Sequence, residues 1–150
     1  MSSHFLKKTT IIKKPLSEVF DFFSKAENLD KITPPHLYFK ITTPSPILMK
    51  RGTLIDYKLK LYGVPFTWKT EITKWNPPFD FEDSQISGPY KKWVHQHIFE
   101  EINGEVHMQD IVEYESPGWI LEPFINFAFV GPNVNRIFDY REKVLKNLFS

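Results

Sequence analysis

Along the chain the hydrophobic period moves from two to helical, back to two, and finally to helical again. Residues 4–13 are rich in Thr and Ile and predict a first strand. Pro15 stops it and can open a helix, because its fixed φ suits the first helical position. Leu16, Val19, Phe20 and Phe23 then recur at helical spacing. A second short helical piece is predicted over 27–32, ended by Pro34 and Pro35. From Ile55 the period is two. Ile55, Tyr57, Leu59 and Leu61 alternate with Asp56, Lys58 and Lys60, the pattern of a half-buried strand. A turn over 62–65 leads to Phe66, Trp68, Thr70 and Ile72, alternating with polar residues. Asn76-Pro77-Pro78 closes that hairpin, residues 79–87 start another strand, and Gly88-Pro89 turns again. Trp93, His95, His97 and Phe99 share one face of the next strand. Asn103-Gly104, the strongest hairpin signal in the chain, joins it to a strand whose matching face carries Met108, Asp110, Val112 and Tyr114. After Pro117-Gly118, residues 119–130 are nearly all apolar but broken by Pro123. From Asn133, a candidate cap, Val134, Ile137, Phe138, Arg141, Val144, Leu145 and Leu148 form one helical stripe. The order predicts an α+β fold in which a long last helix lies on one face of a curved antiparallel sheet.

Composition narrows this picture. With 150 residues and no repeat or linker, the chain reads as a single domain, 1–150. Aromatic residues make up 16%, which favours bulky, rigid walls over a Leu/Ala bundle. A net charge of +1 offers no long-range field to recruit nucleic acid or an anionic membrane. The absence of cysteine excludes disulfides, thiolate metal sites and a Cys nucleophile. Residues 1–14 do not read as a signal peptide, and no apolar run approaches the ~20 residues of a spanning helix. The expected location is cytoplasmic.

Gly88-Pro89-Tyr90, Trp93-x-His95-x-His97-x-Phe99, Asp110-x-Val112-x-Tyr114 and Phe138-x-Tyr140-Arg141, set in the order strand, two short helices, meander, helix, resemble the START-like, birch-pollen-allergen-like (SRPBCC) superfamily. Within it the chain looks like the polyketide cyclase/dehydrase and coenzyme-Q-binding-protein branch. The resemblance implies a helix-grip fold, with two short helices after the first strand and a cavity between the concave sheet and the last helix. It leaves the activity open, because that fold hosts carriers, receptors, cyclases and regulators.

Given such a cavity, period two turns Tyr57, Leu59, Trp68, Trp93, Phe99 and Met108 into wall candidates, with Ile137 and Phe124 from the C-terminal part. Polar residues on the same faces form a second group: Asp83, Gln85, His95, His97, Asp110, Tyr114 and Arg141. One reading is a polar end that orients a ligand's carbonyl, hydroxyl or carboxylate. The other is a satisfied ion-pair network tying helix to sheet, since a buried charge needs a partner. Zinc would need a third ligand beside His95 and His97, which Asp110 could supply. The aromatic surroundings favour an organic ligand, so neither metal nor cofactor is expected.

The leading expectation is a carrier or sensor for a lipid, quinone or polyketide-like molecule. One alternative is a cyclase/dehydratase-type or hydrolytic enzyme using His95, His97 and Asp110 as acid and base, although no nucleophile elbow, phosphate loop or dinucleotide fingerprint is present. Another is a ligand-regulated interaction domain. Residues 119–130 are expected to act as a gate with transient membrane contact, or to serve as ordinary core or a dimer contact. A cavity of ~300 Å³ or more, open near residues 119–130, would support the ligand reading.

Overall fold

Hairpins build most of the sheet. The computed structural model describes residues 3–61, 63–116 and 130–150. Its strands are β1 (His4–Ile12), β2 (Lys40–Ile41), β3 (Leu54–Leu61), β4 (Val64–Asn76), β5 (Asp80–Ser87), β6 (Lys92–Ile102) and β7 (Glu105–Glu115). They form one antiparallel sheet in the order β1-β7-β6-β5-β4-β3-β2. Strands β2 to β7 therefore run as a meander, and β1 pairs with the last strand at the far edge. Helix α1 (Leu16–Phe23) and two 3₁₀ turns, Ala26–Ile32 and Pro35–Leu37, connect β1 to β2. The long helix α2 (Gly131–Leu148) follows β7.

The β6–β7 turn sets the register that matters most. Asn103 and Gly104 both take positive φ, 53° and 79°, as a two-residue hairpin turn demands. Ile102 then pairs with Glu105, and the ladder places His97 opposite Asp110 and His95 opposite Val112. On the next ladder Asp83 lies opposite His95, and Phe81 opposite His97.

Four local expectations are corrected. Val64 pairs with Leu61, so Val64 and Pro65 belong to β4 and the turn is tighter than 62–65. Phe79 precedes β5 and is exposed. Asn133 does not cap α2: the helix already begins at Gly131, and Asn133 is buried inside its first turn. Leu148, expected on the apolar stripe, is 48% exposed. The short β2 and the second 3₁₀ turn lie in a stretch, 33–54, where no regular period announced them. The turn at Pro117-Gly118, the segment 119–129 and Phe124 lie outside the described residues.

The core is divided. Val19, Phe20, Phe23, Phe81, Phe99, Met108 and Leu145 form one apolar cluster. Trp68, Tyr90, Val112, Tyr114, Val134 and Phe138 form a second. A third gathers Ala26, Ile55 and Ile72. Between the first two, each element changes character at one step: β7 passes from Met108 through Asp110 to Val112, and α2 from Leu145 through Arg141 to Phe138. In β6 the step is His97 and His95, between Phe99 and Trp93.

Candidate functional site

Asp83, His95, His97, Asp110 and Arg141 meet in this polar seam. Asp110 is fully buried, and His95, His97 and Arg141 are also buried. The His95 Nε2 lies 2.7 Å from Asp110 Oδ1, and the Arg141 Nη2 donates to the same oxygen at 3.2 Å. Burial pushes the Asp110 carboxyl up, but the Arg141 guanidinium and the hydrogen bond from His95 outweigh it and hold the group well below the usual carboxylate range. Asp110 is therefore an ionised acceptor, and His95 donates to it through Nε2–H.

His97 is oriented from both sides. Its Nε2 lies 2.7 Å from Asp83 Oδ2, while its Nδ1 faces Arg141 Nη2 at 3.5 Å. A guanidinium only donates, so Nδ1 accepts and Nε2 carries the proton toward Asp83. Burial, and then the neighbouring His95 and Arg141 charges, push the His97 pKa well below the ordinary histidine value, which keeps it neutral. The ring stacks on Phe81 at 4.0 Å between centroids and on His95 at 3.7 Å. Burial raises the Asp83 pKa, with the charges of His95 and Arg141 opposing the rise. The Arg141 guanidinium also sits over the rings of Phe23 and Phe138.

Beside this network lies a cavity of about 170 Å³. Tyr57, Leu59, Trp68, Trp93, Ile137 and Phe81 line it, together with Asp83, His95, His97 and Arg141. The volume falls short of the ~300 Å³ that would support the ligand reading, and residues 119–129, where the opening was expected, lie outside the described residues. Burial also pushes the Tyr57 phenol well above its ordinary value, with Asp83 adding to the effect.

Several expected site residues take other places. Phe99, Met108 and Tyr114 are packed into the apolar clusters and do not line the cavity, because their strand positions lie away from it. Asp110 stands behind His95 and is likewise absent from the wall. Gln85 faces inward by register, opposite Thr70, but does not join the seam. Its carboxamide is occupied by Tyr90, donating to the backbone oxygen at 2.7 Å and accepting from the backbone N–H at 3.2 Å. Phe39, Ile41 and Met49, which line the cavity, were missed because 33–54 has no sustained period. Phe81 also lines it; its position two residues before Asp83 on one strand face was a usable signal.

A metal reading gains a different third group from the one expected. Asp83, His95 and His97, rather than Asp110, each offer a ligand atom within 4.8 Å of the others. For His97 to bind a cation through Nε2, its proton would have to move to Nδ1, which faces the Arg141 donor. The hydrogen-bond polarity and the guanidinium charge both favour a closed polar network over a cation site.

No family profile and no curated protein matches the chain. Its fold does match solved structures. The Zhui aromatase/cyclase from Streptomyces sp. R1128 superposes with a TM-score of 0.76 at 11% identity, covering 97% of this chain and 93% of that one. Protein CV1439 from Chromobacterium violaceum gives 0.74 at 11% identity, with 97% and 96% covered. The ginseng major latex-like protein 151 from Panax ginseng gives 0.70 at 12% identity, with 99% and 98% covered. The chain has a helix-grip fold, a seven-stranded antiparallel sheet with a long C-terminal helix, as these structures do. No helix among the described residues is long and apolar enough to cross a membrane.

Proposed function

We propose that this chain binds a hydrophobic small molecule carrying a hydrogen-bond acceptor, in the cavity between sheet and α2, as a cytoplasmic carrier or sensor. The observation that carries this reading is a pair of buried donors on cavity-lining side chains. Trp68 Nε1 and Arg141 Nε have no hydrogen-bond partner among the described residues. Leaving a buried N–H unpaired costs about 1–3 kcal/mol, and a carbonyl, hydroxyl or carboxylate oxygen would recover it. Aromatic walls supply the apolar contact. The volume suits a compact molecule or one end of a lipid, quinone or polyketide-like chain. The aromatase/cyclase among the fold neighbours supports the polyketide-like end of that range. Native mass spectrometry of protein purified from its host is expected to show a bound organic mass that solvent extraction removes. Protein that is always empty would sink the proposal.

One observation favours a second reading, an acid–base enzyme of the cyclase/dehydratase or hydrolytic type. Asp83 and His97 are in direct contact and both line the cavity, and burial raises the Asp83 pKa. The Asp83 carboxyl is therefore the group that would give or take a proton at a bound carbonyl compound, while neutral His97 orients it through Nε2–H. With a substrate identified by the mass measurement, His97→Ala would abolish turnover while leaving affinity within about tenfold, or ~1.4 kcal/mol. If affinity collapses along with turnover, the pair serves recognition only.

A further inference from the structure

The sheet edge next to the cavity carries an unusual charge pattern. No acidic residue occurs between Asp30 and Asp56, while Lys40, Lys50 and Arg51 do, and all three are exposed. On the β2–β3 ladder Lys40 stands directly opposite Lys58, and both are exposed. Like charges facing one another across two strands destabilise the pair, so this arrangement needs an external reason. Lys60, on the same face of β3, lies over the Tyr38 ring at 4.9 Å. Two acids share their face: Asp56, occupied by Lys69 at 3.2 Å, and Glu71, which lies opposite Leu54 at the other end of β3.

Two large side chains are exposed along this edge: Tyr38, 69% exposed, beneath Lys60, and Leu48, 73% exposed, beside Lys50 and Arg51 in sequence and held at Thr53 at the start of β3. The backbone here alternates between two environments. Phe39, Ile41 and Met49 line the cavity, whereas Tyr38, Lys40, Leu48 and Lys50 point to solvent. One thin layer of chain is thus cavity wall on one side and a basic, partly apolar surface on the other.

We propose that this edge, residues 38–51 with Lys58 and Lys60, docks on an anionic lipid surface. Exposed apolar side chains along an edge that also carries lysines match a bilayer interface, where the apolar groups enter between headgroups and the cations meet anionic lipid. A nucleic acid would use the lysines but leave Leu48 in water. With a chain net charge of only +1, the attraction acts at contact range, within a Debye length. Docking in this way would set the Phe39–Ile41–Met49 wall against the bilayer, from which a hydrophobic ligand could enter. That consequence uses the proposed ligand, but the surface itself does not depend on it.

The test is co-sedimentation with phosphatidylcholine vesicles, with and without about 30% phosphatidylserine, at about 0.1 M salt. The protein should partition onto the anionic vesicles only and leave them as salt rises. At about fivefold per lysine near an anionic surface, Lys40→Ala with Lys58→Ala should weaken partitioning roughly 25-fold. The melting temperature of that variant should hold or rise, because a like-charge pair has been removed, so its loss of binding is not unfolding. Leu48→Ser should weaken partitioning without changing its salt dependence. Equal partitioning onto both vesicle types, or a double-lysine variant that binds like the parent, overturns the proposal. So does tight binding of a single-stranded oligonucleotide without vesicle partitioning, which would assign the patch to nucleic acid. Failure here alongside a bound organic mass in native spectrometry leaves the cavity reading intact.

Discussion

Arg141 and Asp110 show how far a single side chain can be read before its neighbours are known. Arg141 stood out as the one charge in the apolar stripe of α2, and Asp110 as a charge on an inward strand row. Whether they were partners was undecidable from spacing. The structure pairs them at 3.2 Å with both buried. Removing one partner strands the other charge away from water, which costs about 3–5 kcal/mol. Asp110→Asn and Arg141→Met should each lose about that much in urea unfolding. The double variant should lose clearly less than the sum, since the second change removes the orphan left by the first. Additive losses would show that the two groups do not act as a pair. His95 and His97 were equally visible in the sequence, but their opposite tasks were not. One donates to Asp110, and the other is held between Asp83 and Arg141.

At the scale of elements, what was legible depended on whether the signal was local. Asn103-Gly104 specified its turn because few residues tolerate two successive positive φ values. A Cβ added at Gly104 would meet nothing within 4 Å, so any penalty there is conformational rather than steric. Gly104→Ala should cost about 1 kcal/mol, read as a lower urea midpoint at unchanged slope. An unaltered midpoint would mean that the hairpin does not depend on this backbone conformation. The β4–β5 pair was less transparent. Its register shifts between Lys69 and Thr70 and again between Ile72 and Lys74. The second shift turns Trp75 to the face of Phe81, where strict alternation from Ile72 would have turned it outward. A bulge of this kind has no composition cue, because it answers to curvature of the whole sheet.

For the molecule as a whole, period and turn chemistry determined the element order, the antiparallel meander and the inward rows of β6 and β7. These follow from backbone geometry that each residue obeys with its near neighbours. Tertiary structure alone decided the rest. It set Asp83 rather than Gln85 in the polar seam, and it placed Phe99, Met108 and Tyr114 in packed core rather than on the cavity wall. It also brought 33–54 round to close the cavity. Each of those outcomes depends on which distant segments share a volume, and close packing settles that through contacts between residues far apart in the chain. The division of one core into two apolar clusters by a hydrogen-bonded seam is of the same kind: its members come from three strands and a helix, and no stretch of sequence contains it.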